Sequence, residues 1–308
     1  MTIRSYVPLT LFVILALGAG LMLLPAESTA AEHAKQRMDQ LLSPARLSPG
    51  PSGILLVTDY CAQAVFMVSR TTVAKVIRSF SINGRPLGIA WARGRIYVGN
   101  ETTGAVEVYN PAGKRMYTLG GAPGSVKQPS DIAVDASRGL IFVVDGQEKR
   151  IRVFGLKGPE LTAISGIGAG SLVNPIGIAL DQTREEILVS DYGHPADSSD
   201  ERAPSLVHIF DYDGNKIAEI SGSRRFSRPQ GLAVEEGHIY LADGMLGQVL
   251  VLDRSSGATV ATLGEFGTGP GQLQLPLDVV IDPSSKDVYV TNNRAARIEL
   301  FEGGGQVP

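Results

Sequence analysis

The stretch Leu263–Phe301, LGEFGTGPGQLQLPLDVVIDPSSKDVYVTNNRAARIELF, decides the fold. A glycine-rich segment and a proline lead into three short runs: Asp278–Ile281 (DVVI), Asp287–Thr291 (DVYVT) and Arg297–Phe301 (RIELF). Each run is too short for an ordinary helix, is rich in Val, Ile and Tyr, and is bounded by Pro, Ser, Asn or Gly, the pattern of strands and their turns. The same phrase recurs upstream, so the chain is read first as a repeat.

The second run of each copy ends in Asp or Asn: Asp59, Asn100, Asp145, Asp191, Asp243 and Asn292. Successive spacings are 41, 45, 46, 52 and 49 residues, the period expected of propeller blades. A second marker, Pro followed by x-Gly or x-Asp and an apolar run, keeps step at Pro86, Pro129, Pro175, Pro229 and Pro276. Two markers in phase give six units. The first unit lacks the Pro-x-Gly strand, and the last lacks an outer strand of the Thr259–Leu263 type. An N-terminal segment completing the last blade would repair both ends and remove an open edge.

The combination of GEFGTGPGQLQLPLDVVID with IYLAD or VYVTN and then RIELF resembles the NHL repeat over residues 54–301. The resemblance implies an all-β, six-bladed β-propeller with four-stranded antiparallel blades. It leaves function open, because NHL propellers serve as protein-, RNA- and substrate-binding platforms. Physically, a lone four-stranded sheet cannot cover both faces, whereas radial stacking covers them and leaves only short edges.

Composition fits one globular unit: 44% apolar, 19% charged, 36 Gly and 18 Pro. Residues 51–303 are assigned to the propeller, residues 304–308 to a tail and residues 32–50 to a linker or short helix. Residues 1–31 carry Arg4, an apolar run Val7–Leu24 and a small-residue segment ending Ala30-Ala31. That is the layout of a secretory signal peptide cleaved after Ala30 or Ala31, the alternative being an N-terminal membrane anchor. The expected location is secreted or periplasmic, as a monomer. Cys61 is the only cysteine, so no intrachain disulfide can form, and it reads as a half-buried small residue.

Between Asp191 and the run Leu206–Phe210 lies Tyr192–Ser205, YGHPADSSDERAPS, where the third unit needs only Gly146–Arg150. A loop that outgrows its connecting role is a place to look for function. In the propeller implied by the resemblance this loop overhangs the face where the inner strands begin. Arg85, Gln128, Asn174, Arg228 and Leu275 precede the in-phase prolines and would ring the axial opening there. Asp131 and Asp278 replace Gly just beyond two prolines, in opposite blades, too far apart for a paired acid/base site. Each reads either as a turn cap or as part of a polar funnel. The binding face is therefore assigned to Arg85, Gln128, Asp131, Asn174, Tyr192, His194, Arg202, Arg228 and Asp278, serving a protein partner, peptide or small ligand in the envelope. The six strand-ending Asp/Asn residues are assigned to turn capping.

No catalytic set is readable. GxSxG is absent, and of the four histidines, His33, His194, His208 and His238, only His194 falls on the candidate face. The enzymatic alternative, a metal-assisted lyase or lactonase related through the propeller, would use His194, Asp131 and Asp278 around a divalent cation, with Asp131, Asn174 and Asp278 imitating a calcium site only in part. No cofactor is assigned. With a net charge of −3 and pI about 5.9, no nucleic-acid partner is expected despite Arg224, Arg225 and Arg228.

Overall fold

The structure is a computed structural model describing residues 38, 40–51, 53–70, 75–120, 123–156, 158, 160–164, 172–193, 204–221 and 226–305. The described residues lie in one compact unit, Gln36–Pro308. No helix among them is long and apolar enough to cross a membrane; residues 1–31, where the signal peptide is expected, lie outside them.

Six antiparallel sheets form a ring, and the chain is a six-bladed β-propeller. The innermost strands are Pro44–Pro49, Pro86–Ala92, Pro129–Asp135, Pro175–Asp181, Pro229–Glu235 and Pro276–Ile281. Each packs against the next, and the sixth packs against the first. The second strands, Ile54–Asp59, Arg95–Asn100, Leu140–Asp145, Glu186–Asp191, His238–Asp243 and Val288–Asn292, end on the six phase-setting residues. Third strands follow, from Ala64–Ser69 to Arg297–Phe301. Fourth strands complete five blades, while the sixth has three strands among the described residues.

Burial explains the sequence texture. Second strands are buried almost throughout, because both faces lie against neighbouring blades. They therefore read as unbroken apolar runs rather than alternating ones. The outer strand Val76–Ser81 is largely exposed, with Phe80 its one buried residue, as a strand at the rim of the disc should be. Six apolar clusters fill the six gaps between blades. The cluster between the sixth and first blades joins Tyr289 and Ile298 to Leu47, Leu55 and Phe66. Burying each such side chain contributes about 1.5–3 kcal/mol.

The start of the propeller is corrected. Residues Pro44–Pro49, read as linker, form the innermost strand of the first blade, paired antiparallel with Ile54–Asp59. The N-terminal segment thus completes the first blade and not the last. Ring closure comes from that blade packing against the sixth, with Met38, Leu41 and Leu42 covering the seam cluster.

We call the face with the second-to-third-strand loops and the inner-strand starts the upper face, and the face with the first-to-second-strand hairpins the lower. The lower rim is laced by ion pairs between adjacent blades: Arg70 with Asp282, Arg138 with Glu185, Arg254 with Glu186 and Lys286 with Glu235. The Arg254–Glu186 pair is bidentate, at 2.8 and 3.0 Å to Oε2 and 2.8 Å to Oε1, the geometry in which such a pair holds best.

Candidate functional site

Every innermost strand carries an irregularity just after its proline, where the register against the second strand slips. The bulged backbone turns the third residue of each Pro-x-x unit to the axis. In order around the ring these residues are Arg46, Gly88, Asp131, Gly177, Gly231 and Asp278. The first blade thus does carry the marker, as Pro44-Ala45-Arg46, 42 residues ahead of Pro86. The phase was legible, but arginine at the Gly/Asp position hid it.

Arg46 is 5% exposed and spans the axis. Its Nε donates to Ser130 O at 3.2 Å, Nη1 to Leu277 O at 2.7 Å and Nη2 to Ile176 O at 2.9 Å. Its guanidinium also lies 3.9 Å from Asp131 Oδ1 and 3.7 Å from Asp278 Oδ1. Glycines elsewhere in the ring make the space. A Cβ on Gly231 would stand 1.8 Å from Asp278 Oδ1 and 2.7 Å from Arg46 Nη1, which no side chain tolerates.

Asp131 and Asp278, expected to cap turns or line a funnel, cap the neighbouring blade instead. Asp131 Oδ2 accepts Ile178 N at 3.0 Å, and Asp278 Oδ2 accepts Leu47 N at 2.7 Å. Opposite in the ring, they are joined by one guanidinium rather than to each other. Burial pushes both carboxyls above the ordinary carboxylate range. Asp278 reaches about 8, through burial first and then Asp131, with Arg46 opposing. Two buried carboxyls facing one fixed positive charge leave an excess of one, and a proton on Asp278 removes it.

Hydroxyls stitch the axis further. Thr58 Oγ1 accepts Arg46 N at 3.0 Å and donates to Leu87 O of the next blade at 2.7 Å. Ser190 does the same between Gly177 N and Gln230 O, and Thr291 between Asp278 N and Ala45 O.

Five of the strand-ending residues, Asp59, Asn100, Asp145, Asp191 and Asp243, cap turns as expected, whereas Asn292 does not; all six grip the segment entering the inner strand. Asp59 accepts from Leu42 N, Ser43 N and Ala62 N at 2.7–2.8 Å. Asp243 accepts from Ser227 N at 2.6 Å and from Met245 N and Leu246 N at 3.0 Å. Sequence reasoning missed why two are Asn. The register places Glu107 and Glu299 diagonally across from Asn100 and Asn292, and each amide donates to its glutamate, at 3.4 and 3.3 Å. Where the diagonal residue is Arg152 or His208, the cap is Asp145 or Asp191, 3.9 and 3.8 Å away. An acidic neighbour selects the amide; a basic one accepts the carboxylate.

Of the remaining predicted face residues, Arg85 is exposed and pairs with Glu101 Oε2 at 3.2 Å while lying 5.4 Å over the Tyr60 ring. Gln128 and Asn174 present backbone N–H groups to Asp145 and Asp191, and the Asn174 amide turns to Gly193 O. Tyr192 O accepts from Ser205 Oγ at 3.1 Å across the base of the long loop. Arg228 is exposed, its N–H on Asp243. His194, Arg202, Arg224, Arg225 and the rest of that loop between Gly193 and Pro204 lie outside the described residues. No group of three or more His, Cys, Asp or Glu stands together among the described residues. Cys61, read as half-buried, is exposed in the turn after Asp59.

Below the Arg46 layer the axis opens into a pocket of about 330 Å³ reaching the lower face. Its deep end is Asp131 and Asp278; its wall includes Ser48, Ala90, Ala133, Ala179 and Ala233, small residues two positions beyond five of the six axial residues, with Val280 at the sixth. Trp91 and Val234 stand nearer the mouth, with Gln182 and Glu235. None of the residues preceding the prolines lines it.

A second feature sits on the upper face of blades five and six. Met245 and Phe266 are 63% and 65% exposed. Their segments touch, since a Cβ on Gly247 would lie 3.0 Å from Phe266 Cα. Leu275 borders them, its Cδ1 3.1 Å from the Cβ position of Gly244, and it holds a φ of 59°. Arg228 and Arg294, both exposed, flank the cluster through Gly244 N→Arg228 O and Arg294 N→Gln274 O.

No family model matches the chain. Among solved structures, Kuenenia stuttgartiensis hydrazine synthase is similar over 87% of this chain and 79% of that one, with a TM-score of 0.63 and 15% identity. A chain from the nidogen/laminin complex is similar over 88% of this chain and 95% of its own, with a TM-score of 0.58 and 17% identity. At such identities the likeness establishes the fold alone, a six-bladed β-propeller.

Proposed function

We propose that the chain is an exported NHL-type propeller acting as a binding scaffold, with no chemistry of its own, and that it meets a protein partner through its upper face. The observation that carries this is the pair Met245 and Phe266, the two most exposed of the large apolar side chains among the described residues, on segments that touch at Gly247, with Leu275 against Gly244. Exposed apolar clusters rimmed by polar groups mark interaction sites. Arg228 and Arg294 add positive charge at the rim and favour a partner acidic at that point. The axial carboxyls fit the non-catalytic half of the reading, being paired with Arg46 and with backbone N–H groups.

Export rests on residues 1–31. N-terminal sequencing of protein from the native envelope should begin at Ala31 or Glu32; a chain still starting at Met1 means an anchor. The binding reading is tested by cross-linking in that envelope with wild type and with Met245→Ser/Phe266→Ser. A defined cross-linked species should disappear in the variant while the melting midpoint holds. If the same species persists, this surface is not the interface.

A further inference from the structure

The axial pocket on the lower face is independent of the upper-face reading. Its lining has a one-sided character: the titratable residues on it are Asp131, Asp278 and Glu235, all acidic, with no lysine, arginine or histidine. Arg46 is not on the pocket wall, because its three donating nitrogens turn to the carbonyls of Ser130, Leu277 and Ile176. Glu235, at the mouth, is matched by Lys286. The deep end therefore holds two carboxyls against the one charge of Arg46, a balance met by a proton on Asp278. Between mouth and floor runs an apolar sleeve of Ile89, Ile132, Ile178 and Leu232 with the alanine ring. Trp91 is also on the wall.

We propose that this pocket binds a small organic ammonium ion, its alkyl body in the apolar sleeve and its charged head toward Asp131 and Asp278. Each part of the cavity has a counterpart in that ligand. An apolar sleeve with a few convergent polar groups at its end is how small-molecule sites are built, and about 330 Å³ admits only a small guest. A cation at the floor supplies the charge that a proton on Asp278 otherwise supplies: as the ammonium enters, Asp278 ionises and its proton passes to the buffer. An anionic guest would meet the carboxyls directly. A neutral one would leave the floor unchanged. Trp91 offers its ring to a cation in passage.

The chain has a single tryptophan, so Trp91 fluorescence reports on the pocket in the unmodified protein. Hexylammonium, hexanol and hexanoate share one alkyl body and differ in charge. Hexylammonium should give a saturable change in Trp91 emission and raise the melting midpoint. Its Kd should be at least about tenfold lower than that of hexanol, the equivalent of about 1.4 kcal/mol, and hexanoate should give no saturation. Asp278→Asn should erase the preference for the ammonium over the alcohol. Failure of hexylammonium to change either emission or melting overturns the proposal, and so does equal affinity for hexanol. Neither result touches the upper-face reading, which is tested by cross-linking.

Discussion

The main-chain N–H of Leu47, in the first blade, donates to Asp278 Oδ2, in the sixth, at 2.7 Å. Around that bond the seam of the ring is drawn by Arg46 Nη1 on Leu277 O at 2.7 Å and by Thr291 Oγ1 on Ala45 O at 3.4 Å. The two ends of the propeller are thus joined by polar contacts at the axis as well as by the apolar cluster outside it.

Arg46→Met removes the charge that both aspartates face and strips three buried carbonyls of a donor. Breaking a buried pair from one side costs about 3–5 kcal/mol, a large part of a domain's usual ~5–15 kcal/mol. Urea unfolding followed by Trp91 emission should show that loss. Adding Asp131→Asn and Asp278→Asn to Arg46→Met should restore a substantial share of it, since no uncompensated charge remains. A loss below about 1 kcal/mol for the single variant would contradict the axial lock.

Asp278 sets a pH dependence. Its carboxyl titrates near 8 in the fold against an ordinary 3.8, so between those values the folded protein holds the extra proton. Its stabilising effect is complete below about pH 3.8 and lost as pH rises through about 8. Urea midpoints should therefore fall steadily from pH 5 to about 8 and level off above it, and Asp278→Asn should flatten that fall. An unchanged slope in the variant would mean that Asp278 is already ionised.

His208 acts in the opposite direction. It is 1% exposed, both ring nitrogens lack a hydrogen-bond partner, and burial holds its pKa below the ordinary 6.5 against the pull of Asp191. Lys216 also lowers it, while Glu219 raises it. The unfolded chain takes up the proton first, so stability present above pH 6.5 is lost as pH falls toward the depressed value. His208→Phe should remove that acid-side decline, read as the melting midpoint from pH 7 down to 5. If the variant declines as steeply as wild type, another group governs the acid limb.

Asn100→Asp tests the amide rule at the strand ends. The new carboxylate would face Glu107 in a buried site and lose its donation to Asn83 O, 3.1 Å away. The cost should be about 1–3 kcal/mol, measured as a shift in urea midpoint. Glu107→Gln in the same chain should recover most of it. Equal stability of Asn100→Asp and wild type would show that charge does not choose the cap.

The ring was legible because its two markers are tied to geometry: a bulge after each inner-strand proline, and a polar residue at each second-strand end that grips the segment entering the inner strand. Turn capping, assigned from recurrence, holds at five of the six ends and not at Asn292. Arg46 escaped because its meaning depends on residues 84 to 231 positions away in sequence, which no local pattern announces. The lower pocket escaped for a related reason: alanines in an apolar run look like ordinary core until six strands converge on them. Met245 lies in a short turn and Phe266 in the two-residue strand Glu265–Phe266, paired with Gln272–Leu273; neither carries the surplus length that marks the loop after Asp191. Arg85 and Arg228 stand at the inner-strand starts, as residues preceding Pro86 and Pro229 must.

Arg46 has one further consequence. Its guanidinium needs carbonyls from the third, fourth and sixth blades at once, although it belongs to the first part of the propeller to leave the ribosome. In an unfinished circle the guanidinium keeps its water, and only the arrival of the last sheet gives it all three carbonyls. Closing the hub is thus tied to the sixth sheet, so that unfolding should proceed as one event and not petal by petal.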